Sequence, residues 1–144
     1  LWSHIEPADE YFVWQGLHDF RQTLYKGKLL QTETYNQMNN FYLGHIKKSL
    51  AESTAKHIVV VTHHLPTLQV VASQHKGSVL NSAFATEYEE LIAGSRIDAW
   101  IYGHSHTNID TEIGSTKVIC NQMGYVFENE HVINGFDPGK FLTI

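Results

Sequence analysis

His57-Ile58-Val59-Val60-Val61-Thr62-His63-His64-Leu65-Pro66 sets a β-branched run against two histidines and a proline. A continuous run of this kind predicts a strand buried on both faces, as in parallel sheets covered by helices. Farther on, Ile97-Asp98-Ala99-Trp100-Ile101-Tyr102-Gly103-His104-Ser105-His106-Thr107 repeats the pattern of apolar run followed by imidazoles. A helical stretch lies between the two runs, so together they read as a βαβ unit with both strand ends at one edge. Open α/β folds bind their ligands at that edge.

The flanks fit the same architecture. The spacing predicts a helix over residues 33–53, with Thr32 as N-cap and an apolar stripe of Tyr35, Met38, Tyr42, Ile46 and Leu50. Residues 7–18 read as a loop with a short helix, and residues 21–30 as extended chain turning at Lys26-Gly27-Lys28. Residues 65–80 are irregular. A second helix is expected over residues 82–93, stopped by Gly94. Residues 109–113 and 116–121 flank Gly114-Ser115, which suits a type II′ hairpin. Short strands are expected near residues 125–127 and 140–144. The order of elements predicts an α/β domain with a mixed sheet and flanking helices.

With 144 residues the chain is long enough for one domain with a real core. A net charge of −5 with only ten Lys and Arg argues against general nucleic-acid binding. No apolar run is long enough for a membrane span. The single cysteine, Cys120, excludes an intramolecular disulfide framework and fits a reducing, cytoplasmic setting. Leu1-Trp2-Ser3-His4-Ile5 has neither an initiator Met nor the character of a signal peptide. It reads as a strand entered midway, so the chain is expected to be an excerpt of a longer polypeptide.

Zinc, manganese and iron all accept neutral imidazole. His104 and His106, alternating on an extended segment, would present both rings on one side, with His63 arriving from the neighbouring strand. Gly103 fits a sharp strand exit or a close backbone approach. A lone strand-end histidine is ordinarily a hydrogen-bonded structural residue. The ordered set of strand, His, helix, strand and Gly-His-x-His raises His63, His104 and His106 above that. His64 would turn away from His63 and serve in support or packing. His4, His18, His45, His57, His75 and His131 lack such a context.

Thr62-His63-His64-Leu65-Pro66 followed by Gly103-His104-Ser105-His106 resembles the C-terminal half of a calcineurin-like metallophosphoesterase. Asn121-Gln122-Met123-Gly124-Tyr125 and Gly135-Phe136-Asp137-Pro138 are similar to segments that close that family's domain. The resemblance covers residues 1–144 and implies a four-layered α/β/β/α sandwich, of which this chain is the C-terminal half. It implies two divalent or trivalent ions (Mn, Fe or Zn), one held by His63 and His104 and the other by His106, with His64 and Asn108 in support. It also implies hydrolysis of a phosphorylated small molecule or a phosphodiester by a metal-bridging hydroxide. The family's N-terminal Asp-x-His, Gly-Asp-x-x-Asp and Gly-Asn-His-Asp/Glu motifs are not in this sequence. Gly16-Leu17-His18-Asp19 is the nearest approach to the last. Carboxylate ligands and the proposed acid histidine would therefore lie upstream, no catalytic residue falls within this chain, and the chain alone is expected to be inactive.

Two other classes compete. A non-catalytic module could bind zinc through His63, His104, His106 and a water. An interaction domain could oligomerise through an exposed sheet edge. An amidohydrolase would need a barrel of about 250 residues, and a His-x-Thr/Ser phosphodiesterase would need two such tripeptides. No Gly-x-Ser-x-Gly elbow is present for serine chemistry. Substrate contacts are expected from residues 69–82 and from the aromatic stretch 11–14.

Overall fold

A computed structural model describes residues 2–144; Leu1, part of the expected opening strand, lies outside the described residues. Residues 2–5 form no strand. Their backbone groups are instead taken up by side chains. Ser3 N–H donates to His64 Nδ1, His4 N–H to Thr86 Oγ1 and Ile5 N–H to Asn36 Oδ1, while Asn39 Nδ2 donates to Trp2 O. Two short helices follow, α1 (Glu10–Gly16) and α2 (Asp19–Gln22). The hairpin of β1 (Leu24–Tyr25) and β2 (Lys28–Leu29) turns on Lys26 and Gly27. Their φ values of +51 and +78 are those a two-residue type I′ turn requires.

The long helix α3 runs Thr32–Glu52. Thr32 is its first residue rather than its cap, because its hydroxyl donates to Glu10. The buried stripe also differs from the expected one. Tyr42 is exposed and Leu43 packs on the core in its place, while Ile46 and Leu50 pack there as expected. Asn39, polar yet buried, lies on the same face, with Nδ2 donating to both Trp2 O and the Tyr88 hydroxyl at 2.6 Å. An apolar periodicity cannot register such a residue.

The main sheet is mixed. It comprises β3 (Val59–Val61), β4 (Ala99–Ile101), β5 (Thr111–Ile113) and β6 (Thr116–Ile119), in the order β3-β4-β6-β5. β3, β4 and β6 are parallel, in register through Val60↔Trp100 and Trp100↔Val118, and β5 returns antiparallel beside β6. The α/β class with a mixed sheet is therefore as expected. Gly114, at φ +59, makes the tight β5–β6 turn.

β3 is an edge strand, not one buried on both faces: Val60 points into the core while Val59 and Val61 are exposed. β4 is one of the two inner strands, and Trp100 at its middle has no exposed surface. The Trp100 indole N–H donates to Thr62 Oγ1, and Thr62 in turn donates to His64 O, both at 2.9 Å. The core is thus tied directly to the chain leaving β3.

Two expectations fail in the connections. Of residues 82–93, only α4 (Glu89–Ala93) is α-helical. Residues 84–88 run beside residues 65–66 instead, with a Leu65↔Ala85 bridge and bonds from Leu65 N to Phe84 O and Thr86 N to Leu65 O. Those pairings use the backbone groups that a helix would have needed. Residues 125–127 and 140–144 are not strands either. Val126–Glu128 is a 3₁₀ turn leading into α5 (Glu130–Ile133), and residues 140–144 have no regular structure.

Candidate metal centre at the strand ends

Three parallel strands deliver their C-terminal ends to one edge. β3 gives Thr62-His63-His64, β4 gives Gly103-His104-Ser105-His106, and β6 gives Cys120-Asn121-Gln122. The backbone leaves extended geometry at once. Ser105 N–H donates to Gly103 O across His104, whose φ is +75; this is the rare γ-turn form with positive φ. His106 is also left-handed, at φ +51. Non-glycine residues held there cost about 1–3 kcal/mol each and cluster at functional sites.

The two rings of the Gly-His-x-His stretch are therefore not aligned by strand alternation. His104 turns back toward His63, its Nδ1 lying 3.1 Å from His63 Nε2. Two nitrogens on one ion, each bonded at about 2.0–2.1 Å, stand about 2.9 Å apart at a right angle and about 3.4 Å apart at the tetrahedral angle. The observed pair, which is joined by an N–H···N hydrogen bond, falls inside that range. Gly103 N–H donates to His63 O at 2.9 Å and ties the two loops together. A side chain at 103 would meet His63 only at ordinary contact distance, so no forced close approach explains that glycine.

His64 does not turn away as alternation predicts, because the strand ends before it. Its ring lies 4.7 Å from that of His104, and ligand atoms of His63, His64 and His104 fall within 4.8 Å of one another. These three histidines could hold a metal ion. The bonding of His64 sets it apart, however. Its Nδ1 accepts the Ser3 backbone N–H at 3.0 Å, in a buried cluster with Ser3 Oγ and the Tyr35 hydroxyl. Tyr35 itself donates to Ala83 O. A backbone N–H can only donate, so neutral His64 carries its proton on Nε2, which leaves no free lone pair for a metal.

His106 has the opposite arrangement. Its Nδ1 stands 2.9 Å from Glu130 Oε2, and its ring meets Tyr125 edge-on at 4.5 Å. A carboxylate on one imidazole nitrogen leaves the other as a basic lone pair, the usual support for a metal-binding histidine. Glu130 also accepts the Tyr125 backbone N–H. Gly124 makes room for it: a Cβ there would lie 2.9 Å from Glu130 Cβ, and the residue sits at φ +72. Gln122 clamps the same loop, accepting His106 N–H and donating to Ser105 Oγ. Asn108 pairs with the Gln122 backbone through both its side-chain oxygen and nitrogen, which fastens the loop to β6.

Burial is the main cause that holds the proton affinities of His63 and His104 below the ordinary histidine value, with the charge of His106 adding to it at both. The Asp19 carboxylate acts against this at His104. Burial, followed by the charges of His104 and His63, pushes His64 down to about 3. Neutral imidazole is the form that binds metal. Ser3, Tyr35, Gln122 and Glu130 are supporting residues that sequence reasoning missed. Gly124 is the local signal that could have pointed to a close packing partner such as Glu130.

No helix of the described residues is long and apolar enough to cross a membrane. No family model matches the chain, and no solved structure matches it. The chain is similar to Uncharacterized protein L509 of Acanthamoeba polyphaga mimivirus, at 24% identity over 155 residues covering 100% of this chain and 53% of the relative. It therefore spans about half the length of the curated relative it matches.

Proposed function

We propose that the chain is the C-terminal half of a calcineurin-like metallophosphoesterase domain and carries the histidine side of a two-metal phosphohydrolase centre. The observation that carries this reading is the His63 Nε2–His104 Nδ1 pair at 3.1 Å, a spacing suited to one shared ion. His106, oriented by Glu130, would serve the second. Two such ions (Mn, Fe or Zn), when bound, supply an activated water and neutralise charge on the phosphoryl oxygens. His64, with its proton on Nε2, would donate a hydrogen bond to an oxygen of a phosphate held beside His104. Asn108 and Gln122 would keep the His104–His106 loop in place.

The substrate class is a phosphorylated small molecule or a phosphodiester. The open edge of β3, the outermost strand on its side of the sheet, is where the remaining strands of a four-layered sandwich would add. The greater length of the viral relative leaves room for the carboxylate ligands. Buried Cys120 suits a cytoplasmic setting. The test is hydrolysis of p-nitrophenyl phosphate and bis(p-nitrophenyl) phosphate by the full polypeptide that contains this chain, loaded with Mn. Turnover should vanish on chelation and fall at least about a hundredfold in His104→Ala. Absence of metal-dependent turnover would remove the enzyme reading.

A mononuclear, non-catalytic site on His63, His64 and His104 is the second reading, favoured by their mutual proximity. It requires His64 to give up either the Ser3 bond or its Nε2 proton. Removing His64 would then abolish metal binding while removing His106 would not; the two-metal reading predicts the reverse order of effect.

A further inference from the structure

Beside the histidine cluster lies a cavity of about 270 Å³ whose wall includes His104 and Ser105. The rest of the wall is largely apolar, formed by Leu65, Val71, Ala72, Leu80 and Phe84. Phe84 stacks on the His104 ring, with centroids 4.7 Å apart and an interplanar angle of 27°. Three polar side chains of the wall already have partners, with Asn81 Nδ2 donating to His75 O, Ser78 Oγ accepting Leu80 N–H and Ser105 Oγ donating to Thr107 O, and the His75 imidazole is a further polar group in the lining.

Size and charge narrow the occupant. An apolar cavity of about 150 Å³ is enough to take up benzene, whereas complete drug-sized ligands fill about 300–1,000 Å³. The space therefore suits one ring with its attachments. No carboxylate lines it, so an anionic ester meets no repulsion there. A neighbouring cavity of about 700 Å³ shares Val71, Ser78 and Asn81 but sets three carboxylates, Glu6, Asp9 and Glu87, against the single Lys76, a balance that disfavours a phosphate.

We propose that this cavity binds the aromatic ring of an aryl phosphate whose phosphoryl group lies at the His63–His104 pair. The inference rests on the phosphohydrolase reading and adds the substrate class to it. The shared residue is His104: its Nδ1 faces His63 Nε2, while its ring stacks on Phe84 and the two rings form part of the cavity wall. An aryl group one ester oxygen from phosphorus spans the two regions without any further polar recognition.

The test compares binding of benzylphosphonate, in which a methylene replaces the ester oxygen of phenyl phosphate so that it cannot be hydrolysed, and inorganic phosphate to the Mn-loaded full polypeptide by calorimetry. Benzylphosphonate should bind at least tenfold more tightly. In Ala72→Phe, which fills the cavity, that preference should collapse while inorganic phosphate affinity stays within twofold. Leu80→Ala, which opens the wall without adding bulk, should lower the preference severalfold and covers the case in which Ala72→Phe does not fold. Equal affinities in the unaltered protein, or a preference indifferent to both variants, would overturn the proposal while leaving the metal-centre reading intact. If neither compound binds, the phosphohydrolase reading falls and takes the proposal with it.

Discussion

Glu130 occupies the space that a side chain at Gly124 would need, and from there its carboxylate reaches both the Tyr125 backbone N–H and His106 Nδ1. A left-handed glycine in the loop after β6 thereby sets the orientation of an imidazole in the loop after β4. The prediction is specific. Gly124→Ala and Glu130→Ala should each lower metal affinity by about 10–100-fold, the range for losing an outer partner of a histidine ligand. Circular dichroism of the sheet should be unchanged. Full metal affinity in Glu130→Ala, measured by calorimetry, would show that His106 is not a ligand.

Metal binding should resist mild acidification. The proton affinities of His63 and His104 are lowered, so both rings stay neutral to a lower pH than free histidine. Protons then compete with metal only as pH falls below the ordinary histidine value. Calorimetric titration with Zn should give similar affinity at about pH 7.5 and about pH 6.5, and clear weakening by about pH 5. Equal affinity at all three would remove histidine ligation.

In the metal-free protein, His64 should make folding acid-sensitive. Its folded value of about 3 lies below the ordinary 6.5, so the unfolded chain takes up a proton first. Stability from this group is complete above the unfolded value and is lost as pH falls from there toward the folded one. His64→Gln, which cannot titrate and leaves the Ser3–Tyr35 cluster imperfectly bonded, should cost roughly 1–3 kcal/mol near neutral pH. The gap to the unaltered protein should close as pH approaches about 4. Urea unfolding at several pH values measures this, and a constant gap would show that burial does not hold His64 neutral.

How much of this was legible in the sequence follows from which signals are local. The β-branched run at residues 58–61 and the apolar run around Trp100 announce parallel strands, and the histidines just beyond them follow from position alone. The expected helix over residues 82–93 was mostly wrong because Leu65 and Pro66 offered residues 84–88 backbone partners from a segment far away in sequence. Val126 and Phe127 have strand-like chemistry but are exposed, with no face to cover. Strand alternation was applied to His63-His64 and His104-x-His106, where the strands had already ended. The roles of Ser3 and Glu130 depend on contacts across the fold that leave no periodic mark.

The most direct measurement is an anomalous-scattering crystal structure of the full polypeptide containing this chain, grown with zinc or manganese. The account predicts one ion bonded to His63 Nε2 and His104 Nδ1 at about 2.0–2.2 Å, and a second on the His106 nitrogen opposite Glu130. An ion held by His64, or none at His63 and His104, would contradict it.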